Sequence, residues 1–464
     1  MQLPSILLKA LIVCFAYFAT MSSSQGVEKG LKSPNIVLIM ADDLGYTDLA
    51  CYGNKWAQTP NIDRLARDGI KFTDGYAASP VCTPTRASIM TGLSPARLKI
   101  TNHAPGNPNY ISKTSGLKGA DWTTFLPLET NTLAERLQNS GYRNGFIGKW
   151  HLSHIKTNGR FDKSKELSLR PENQGFELNV GGCSYGGPPS FFEPYKIPAI
   201  TPVKDGDYLP DRLADECIKF IDMDKEGPFF LCWWNYSVHY PIEAPLHLIE
   251  KYKQIPGVDN PAYQAMIEGM DMSVGRVIDH IDSSGLAEDT LIIFTSDNGS
   301  LFNVNPLRAN KGHLYEGGIR VPWIFRWTGK TLKGRVESTP IVSMDLFPTL
   351  LGVANTKIEK DYVHDGIDLT SLLVSDKKIE RDSLYFHYPN FAFHKKNRLG
   401  SAIREGGWKL IYFYDKSESE LFDLKSDYIE STNVAAEFPE IATRLKKKLL
   451  SWLEESKANL PTKP

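Results

Sequence analysis

Continuous apolar runs alternate, up to about residue 356, with segments whose apolar residues recur at helical spacing. A run of this kind is the pattern of a strand that is buried on both faces of a sheet. The runs that predict strands lie at residues 35–40, 70–73, 142–151, 228–234, 290–296 and 323–327. The segments that predict helices lie at residues 59–69, 131–138, 209–223, 262–283 and 343–353. The alternation predicts an α/β fold in which a large, mostly parallel sheet is sandwiched by helices.

The pattern changes after about residue 356. Short segments of alternating polar and apolar residues lie at 383–388, 401–404, 408–413 and 420–424, and a charged amphipathic helix is predicted at 439–455. Alternation of this kind is typical of an antiparallel sheet with one covered face. We therefore divide the chain into a main domain at residues 33–355 and a smaller C-terminal subdomain at residues 356–464, which holds an antiparallel sheet and a helix.

The N-terminal segment has the composition of an export signal. Lys9 is its only charged residue before Glu28, and an apolar stretch at residues 7–18 precedes a small polar run at residues 21–25. The apolar stretch is too short to span a bilayer. Residues 1–24 are therefore predicted to be a cleaved signal peptide. The mature protein is expected to be periplasmic or secreted, without membrane insertion.

Composition narrows the remaining function classes. The chain of 464 residues has a formal net charge of -1, so nucleic acid is not an expected partner. The cysteines outside the signal and the Cys82 motif described below are Cys51, Cys183, Cys217 and Cys232, and their spacing is not that of a metal site. Buried free thiols are the favoured interpretation, and one disulfide in an exported protein stays open.

Acidic and amide residues follow two of the predicted strands. Asp42 and Asp43 come directly after the first apolar run, and Asp297 and Asn298 follow the run at residues 290–296. Open α/β sheets bind ligands at the carboxyl ends of their strands, and adjacent carboxylates at such an edge need a cation. Hard oxygen ligands suit Ca²⁺ or Mg²⁺ rather than Zn²⁺. The alternative at each position is a solvated turn.

Basic residues occupy comparable positions. Lys149 and His151 end the run at residues 142–151, and a spacing of two on an extended chain would turn both side chains to one face. His239 follows the run at residues 228–234. Each of these residues alone could equally be an ordinary surface residue, so their meaning depends on whether one edge of the sheet collects them.

Cys82 lies at a predicted helix start, with Pro84 in the first turn and Arg86 one turn further on. A thiol that faces a fixed positive charge at a helix N-terminus is expected to be anionic or activated. For so short a pattern, a buried cysteine that caps an ordinary helix is the better interpretation. The longer run at residues 80–92 reads Pro-Val-Cys-Thr-Pro-Thr-Arg-Ala-Ser-Ile-Met-Thr-Gly.

This longer run resembles the signature of the type I sulfatases, which have an alkaline-phosphatase-like fold. Residues 142–151 resemble the second signature of that family, with Asn144 where the family usually has Ser or Thr. Residues 311–322 resemble a further block, in which the lysine contacts sulfate. The resemblance covers nearly the whole mature chain. It implies that the main domain is catalytic and that the protein is a sulfuric ester hydrolase.

The resemblance also implies a metal ion and a modified residue. A formylglycine-generating maturation enzyme would oxidise Cys82 to formylglycine (3-oxoalanine). The hydrated aldehyde would attack sulfur, expel the alcohol and then release sulfate. One divalent cation, Ca²⁺ in preference to Mg²⁺, would be held by Asp42, Asp43, modified Cys82, Asp297 and Asn298.

Five further residues take catalytic roles by the same resemblance. Arg86 and Lys149 would stabilise charge on the nucleophile and on the transferred group. His151 would act as the base towards the second hydroxyl of the hydrated aldehyde. His239 and Lys311 are the candidates for sulfate binding and for protonating the leaving oxygen.

The substrate class is less constrained. The export signal and the aromatic loops favour a sulfated glycan, either an extracellular polysaccharide or its oligosaccharides. Residues 154–202 have no clear period and are expected to form long loops that shape a pocket. Candidate contacts to an anionic saccharide are Asn102, His103, His154, Arg170, His387 and Arg404. Two alternatives stay open: a phosphate or phosphonate monoester hydrolase with a related site, and a non-catalytic glycan-binding protein that kept the fold.

Overall fold

Sixteen strands are found in the part of the chain that the computed structural model describes, which is residues 33–202, 204–223, 226–303, 305–375 and 377–464. The predicted signal peptide at residues 1–24 lies outside the described residues. The strands are β1 Asn35–Ala41, β2 Ile70–Phe72, β3 Gly75–Tyr76, β4 Arg143–Gly148, β5 Lys156–Thr157, β6 Arg160–Phe161, β7 Leu178–Val180, β8 Phe229–Trp234, β9 Thr290–Ser296, β10 Trp323–Trp327, β11 Arg335–Glu337, β12 Ile341–Val342, β13 Leu384–Tyr388, β14 Gly400–Glu405, β15 Trp408–Phe413 and β16 Glu418–Asp423. Half of these strands form one sheet, in the order β11-β2-β10-β9-β1-β8-β4-β7.

Helices cover both faces of this large sheet. They are α1 Pro60–Asp68, α2 Cys82–Thr91, α3 Pro95–Leu98, α4 Leu133–Asn139, α5 Lys163–Ser168, α6 Leu209–Ile221, α7 Leu246–Lys253, α8 Pro261–Ser283, α9 Glu316–Ile319, α10 Leu346–Val353, α11 Thr370–Val374 and α12 Pro439–Glu455. Short 3₁₀ helices lie at Ala50–Tyr52, Pro171–Asn173 and Ser343–Asp345. The predicted strands and helices of the main domain are all present, with bounds that differ from the expected ones by a few residues.

The continuous apolar runs arise because the sheet has two cores. Along β1, Val37 and Ile39 pack into a core with α1, α6, α7 and α8, whereas Ile36, Leu38 and Met40 pack into a second core with α2, α4 and α10. Successive side chains of a strand point to opposite faces, so a strand covered on both sides must be apolar at every position. The α/β sandwich predicted from the sequence is confirmed.

One strand of the large sheet runs against the others. β1 pairs in parallel with β8 and β9, and β4 with β7 and β8, but β10 is antiparallel to both β9 and β2. In this register Trp323, the first residue of β10, lies opposite Thr295 near the end of β9. The segment that precedes β10 therefore reaches the same edge as the segments that follow the parallel strands.

The C-terminal region forms the expected second sheet. Strands β13 to β16 are consecutive antiparallel neighbours. Helix α12 covers one face, where Leu445, Leu449 and Leu453 pack against apolar side chains of β14, β15 and β16. Residues 34–464 form one compact unit, so the division near residue 356 stays a prediction.

The expectation of long loops at residues 154–202 is wrong in part. This region contains α5 and the short antiparallel pair of β5 and β6, and β7 adds to the large sheet beside β4. Three-residue strands leave too few positions for a hydrophobic period to be visible in the sequence. The cysteines Cys51, Cys82, Cys183, Cys217 and Cys232 are free thiols, as expected. Within the described ranges, no helix combines the length and the apolar character that a bilayer crossing needs.

Candidate active site

Several strands of the large sheet end at one edge, and the polar residues singled out in the sequence follow them there. Asp42 and Asp43 come directly after β1, Asp297 and Asn298 directly after β9, and Lys149 directly after β4. The amide of Asp43 donates a hydrogen bond to Oδ1 of Asp297 at 3.2 Å, which joins the two acidic segments. The carboxyl ends of neighbouring parallel strands have thus brought together residues that are distant in sequence.

Oxygen atoms in this group are left without protein donors. Oδ2 of Asp43 and Oδ1 of Asn298 are buried and accept no hydrogen bond from the described residues. Ligand atoms of Asp42, Asp43 and Cys82 all lie within 4.8 Å of one another. A buried acceptor without a donor is costly unless a cation faces it. The arrangement therefore fits a hard divalent cation, because the unpartnered atoms are a carboxylate and an amide oxygen.

Three buried cations compensate the three carboxylates. Arg86 donates to Oδ2 of Asp297 at 2.6 and 2.9 Å, and Nζ of Lys149 donates to both oxygens of Asp42 at 2.7 and 2.8 Å. Burial raises the pKa of Asp42 well above its ordinary value, and Lys149 only partly offsets this. For Asp297 the balance is reversed, since Arg86 and Lys149 outweigh burial and lower the pKa.

Lys311 connects the acidic group to the thiol. Its Nζ lies 2.5 Å from Oδ1 of Asp43 and 3.3 Å from Sγ of Cys82. Burial alone would lower the pKa of Lys311, but Asp43 and Cys82 raise it above its ordinary value, so the ammonium group is charged. Lys311 reaches this position because it precedes β10, the strand that runs against its neighbours.

Cys82 begins α2, as predicted, but its thiol is not activated. Burial raises the pKa of the Cys82 thiol to about 11, although Lys149 and Lys311 act in the opposite direction. Arg86 makes no hydrogen bond to the sulfur, and its guanidinium donates to Asp297 and, at 2.5 Å, to the carbonyl oxygen of Lys149. The expectation of an anionic thiol is therefore wrong, since desolvation outweighs the nearby charges.

His151 lies in the same group, though not on an extended strand. β4 ends at Gly148, and His151 has a φ of 58°, so the expected extended chain through His151 is wrong. Nε2 of His151 lies 2.5 Å from the carbonyl oxygen of Ala104, and Nδ1 lies 3.4 Å from Oγ1 of Thr83. A carbonyl only accepts, so Nε2 carries the proton and Nδ1 has the lone pair. Burial and Lys149 lower the pKa of His151 well below its ordinary value.

His239 approaches the acidic group from the loop after β8. Its Nδ1 donates to the carbonyl oxygen of Tyr240 at 2.7 Å, and its Nε2 lies 3.6 Å from Oδ2 of Asp43. Burial lowers the pKa of His239 to about 3, and Asp43 only partly opposes this effect. The neutral ring therefore presents a lone pair to a carboxylate oxygen, a second sign that a cation belongs between the two groups.

A glycine pair lets the segment between β7 and α6 approach both histidines. A side chain on Gly186 would place its Cβ 2.9 Å from the ring of His151, and one on Gly187 would place it 2.5 Å from the ring of His239. A Cβ at either position would therefore force the histidine ring to move, so glycine at both positions lets the two rings keep their places in the site. The sequence predicted only long loops in this region, without a role for these glycines.

Cys82, His151, His239 and Lys311 line a cavity of about 490 Å³. This volume is within the range of small-molecule binding sites. The rest of the lining is largely apolar and includes Tyr240, which was not among the site residues predicted from the sequence. The cavity thus has a polar floor at the edge of the sheet and an apolar wall made by loops.

Among the candidate saccharide contacts, only His103 lines this cavity. Asn102 lies behind His103 and accepts hydrogen bonds from its amide and from the hydroxyl of Tyr388. The other candidates lie elsewhere: His154 borders a separate small cavity, Arg170 pairs with Glu166, His387 contacts Ser401 and the carbonyl of Asn459, and Arg404 pairs with Asp74. These residues support the fold rather than the cavity.

Comparison with known families agrees with this geometry. The family model described as Sulfatase matches residues 34–356, well over half of the chain. This chain belongs to the sulfatase family. A second model, described as N-sulphoglucosamine sulphohydrolase, C-terminal, matches residues 309–456 of this sulfatase. The family predicted from the motifs at residues 80–92 and 142–151 is therefore confirmed.

Individual relatives of this sulfatase carry the same description. A sulfatase of Formosa agariphila is 31% identical over 95% of this chain and 92% of its own length. Human arylsulfatase A is 32% identical over 82% of this chain and 75% of its own length. These relatives and the family match show that the protein is an enzyme, a sulfuric ester hydrolase.

Solved structures support the fold. The crystal structure of Ps i-CgsB in complex with k-i-k-neocarrahexaose has a TM-score of 0.75 at 27% identity and covers 91% of this sulfatase and 93% of its own chain. The phosphonate monoester hydrolase of Agrobacterium radiobacter has a TM-score of 0.67 at 20% identity over 91% of this sulfatase and 96% of its own chain, which is a likeness of fold alone. The expected alkaline-phosphatase-like fold is confirmed.

Proposed function

We propose that this sulfatase removes sulfate from a sulfated carbohydrate, with a formylglycine made from Cys82 as the nucleophile and a bound divalent cation. The observation that carries the proposal is the position of Cys82 on the cavity floor. Its sulfur is 3.3 Å from Nζ of Lys311, and it shares a cluster of potential ligand atoms with Asp42 and Asp43. A thiol with a pKa raised to about 11 is a poor nucleophile, which favours a precursor role.

Calcium is the proposed cation, with magnesium as the less favoured choice. Asp42, Asp43, Asp297 and Asn298 would hold it together with the modified side chain of Cys82. The unpartnered oxygens of Asp43 and Asn298 support this assignment. A bound divalent cation supplies neutralisation of the sulfate oxygens and orientation of the nucleophile.

Modification of Cys82 gives the reaction a way to regenerate the enzyme. The hydrated aldehyde carries two hydroxyls: one forms a bond to sulfur as the bond to the alcohol oxygen breaks, and deprotonation of the other then restores the aldehyde and expels sulfate. A plain cysteine or serine ester lacks this elimination route and would need attack by water. The proposal requires a formylglycine-generating enzyme as a maturation partner.

The surrounding cations would stabilise charge during transfer. Lys311 is the cation on the cavity floor and contacts the sulfur of Cys82, so it would bind the oxygens of the transferred group. Lys149 lies behind it against Asp42. Arg86 holds Asp297 and the backbone of Lys149, and thereby fixes the positions of both residues.

The histidines would handle the protons. His151 has its lone pair on Nδ1, and it would accept the proton of the second hydroxyl. His239 lies in the cavity lining beside Asp43, and it would share sulfate binding and protonation of the leaving oxygen only in its protonated form. Lys311, whose ammonium group is charged, would otherwise perform both roles. Both rings line the cavity, which supports these roles.

The relatives support a carbohydrate as the substrate. The structure of Ps i-CgsB contains an oligosaccharide, and N-acetylgalactosamine-6-sulfatase of Rattus norvegicus is 31% identical over 76% of this chain. A relative whose name indicates a sterol substrate is equally similar, since steryl-sulfatase of Mus musculus is 31% identical over 82% of this chain. We assign an extracellular polysaccharide or its oligosaccharides, in line with the export signal predicted at residues 1–24.

Mass spectrometry of the Cys82 peptide tests the proposal. Protein produced with a formylglycine-generating enzyme should carry 3-oxoalanine at this position and release sulfate from a sulfated glycan. Cys82→Ala should lower turnover by at least about 10³-fold while the protein stays folded. The matched control is Cys51→Ala, another free cysteine, which lies outside the cavity and should keep full activity.

Three outcomes would contradict the proposal. A free thiol at Cys82 in active protein, or an active Cys82→Ala variant, would exclude this nucleophile. Faster hydrolysis of phosphate or phosphonate esters than of sulfate esters in parallel assays would favour the related monoester hydrolases. Metal-independent glycan binding without any turnover would identify a binding protein.

A further inference from the structure

Apolar side chains from three separate loops line the cavity beside its polar floor. Tyr240 and Ile242 follow β8, Leu301 and Phe302 follow β9, and Phe393 lies between β13 and β14. We call these five residues the apolar wall. Tyr240 is 68% exposed, Phe393 49% and Phe302 36%. Exposed aromatic side chains that converge on one cavity mark a binding surface.

Charge is scarce on this surface. Lys311 is the one lysine or arginine among the described residues that line the cavity, and it is paired with Asp43. No carboxylate of the described chain lines the cavity either. Lys395, two residues beyond Phe393, does not line the cavity, and its Nζ lies 5.1 Å from the centre of the Tyr110 ring. Its charge is still felt at the cavity, because after burial and Lys311 it helps to lower the pKa of His103, which lines the cavity.

We infer that the apolar wall selects the alcohol part of the substrate: an otherwise uncharged ring that carries the single sulfate and presents an apolar face. The inference rests on the proposed function, because the floor must hold the sulfate for the wall to meet the ring. A second sulfate or a uronic acid carboxylate placed against these side chains would lose water without gaining a cation. Such substrates should be rejected.

The position of Phe393 supports a stacking role. Its ring lies 5.7 Å from Nζ of Lys311 and meets the rings of His103 and His394 edge-on, at 6.4 and 4.9 Å between centres. Contacts to these neighbours fix one edge of the ring, while about half of its surface stays exposed. A ring held beside the sulfate-binding lysine is placed to stack on the group that bears the sulfate.

Two sources of substrate share this chemistry: a neutral sugar ring, and an aromatic or alicyclic alcohol. The probes are therefore a monosulfated methyl galactoside, the same sulfated sugar linked to glucuronic acid, and 4-nitrophenyl sulfate. Titration calorimetry with the Cys82→Ala variant measures binding without turnover. The galactoside or the aryl sulfate should bind at least about 10-fold more tightly than the glucuronic acid conjugate.

Truncation of the wall gives the second readout. In the matured enzyme, Phe393→Ala and Tyr240→Ala should each raise KM about 3- to 10-fold and leave kcat within about 3-fold. Tyr240→Lys places a cation in the apolar wall, so it should reduce the ratio of affinities between the galactoside and the glucuronic acid conjugate. Tyr428→Ala is the matched control, since Tyr428 is similarly exposed at 46% and does not line the cavity.

The outcomes separate this inference from the proposed function. Tighter binding of the galactoside assigns the wall to saccharides, and tighter binding of the aryl sulfate assigns it to aryl alcohols; both support the inference. Preferred binding of the glucuronic acid conjugate, unchanged KM in both truncation variants, or no binding of any probe would overturn it. If mass spectrometry found Cys82 unmodified in active protein while calorimetry still showed tighter binding of the uncharged rings, the proposed function alone would be overturned.

Discussion

Two ionic clusters in this sulfatase have the same balance of charges and different surroundings. The active-site cluster consists of Asp42, Asp43 and Asp297 with Arg86, Lys149 and Lys311. The interface cluster joins the C-terminal sheet to the segment around α9, and consists of Asp74, Glu316 and Glu430 with Arg320, Arg404 and Lys409. In both clusters three carboxylates meet three cations inside the protein.

The clusters differ in how completely their oxygens are partnered. In the interface cluster, five of the six carboxylate oxygens accept a hydrogen bond, from donors that include Nζ of Lys409, the hydroxyl of Tyr76 and the amide of Glu316. The sixth, Oε1 of Glu430, accepts none in the part of the chain that is described but lies 2.8 Å from Nζ of Lys409. In the active-site cluster, Oδ2 of Asp43 and Oδ1 of Asn298 have no hydrogen-bond donor among the described residues. The active-site cluster also opens into a cavity through Lys311.

This difference shows that charge balance alone does not identify a functional site. A closed network of ion pairs holds two sheets together, whereas unpartnered oxygens beside a cavity leave room for an ion and a substrate. Loss of one charge should therefore reduce stability in the interface cluster, and reduce metal binding and catalysis in the active-site cluster.

The Lys409→Met variant should show the largest loss of stability. Its Nζ lies 2.8 Å from both Glu316 and Glu430, and all three side chains are buried. Removal of the cation leaves two carboxylates buried near each other, which should lower the free energy of unfolding by about 3–5 kcal/mol in denaturant titrations. Activity per folded molecule should fall less than about 10-fold, because no group of the cavity is changed.

Lys447→Met is the matched control for this prediction. Lys447 is exposed on α12, in the same C-terminal region, so its removal should change the free energy of unfolding by less than about 0.5 kcal/mol. Equal effects of the two substitutions would mean that the interface cluster does not stabilise the fold.

Calcium should stabilise the protein through the active-site cluster only. At a concentration about 100-fold above its Kd, calcium should add about 3 kcal/mol to the free energy of unfolding, seen as a rise in Tm that chelation reverses. Asp43→Asn should remove most of this rise, because it replaces the carboxylate whose oxygen is unpartnered. Asp74→Asn, the same change in the interface cluster, should lower Tm but keep the rise. Similar calcium responses of both variants would contradict the assignment of the metal ligands.

The sequence revealed the active-site cluster more readily than the interface cluster. A strand with a continuous apolar run is typical of a sheet that is covered on both faces. Acidic residues at the ends of such strands meet at one edge because the strands are parallel. Lys409 lies instead in a strand with an alternating pattern, where a lysine is normally solvated, and its burial depends on Glu316 and Glu430 from distant segments. Contacts of this kind are set by tertiary structure, which no local period encodes.

The sequence did not predict the apolar wall either. Tyr240, Phe302 and Phe393 come from loops, and single exposed aromatic residues are common on protein surfaces. The turned backbone at His151 was missed because an apolar run does not show where extended chain stops. His151 could still be identified as a site residue, because the motif fixed its position even where its conformation was predicted wrongly.

Glu430 provides the smallest and most specific effect. Burial raises the pKa of Glu430 to about 7, although Lys409 opposes this, so the folded protein binds this proton more tightly than the unfolded chain, whose glutamate has a pKa near 4.5. The stability that this protonation contributes is complete below the unfolded pKa and is lost as the pH rises through 7. Glu316 does not titrate in the same window, because Lys409 and Arg320 outweigh burial and lower its pKa.

Relative to Glu430→Gln, which does not titrate, the wild-type protein should therefore lose about 1–3 kcal/mol of unfolding free energy between pH 5 and pH 8. Denaturant titrations of both proteins at several pH values measure this difference, and a difference that stays constant with pH would show that Glu430 is ionised throughout as a fixed partner of Lys409.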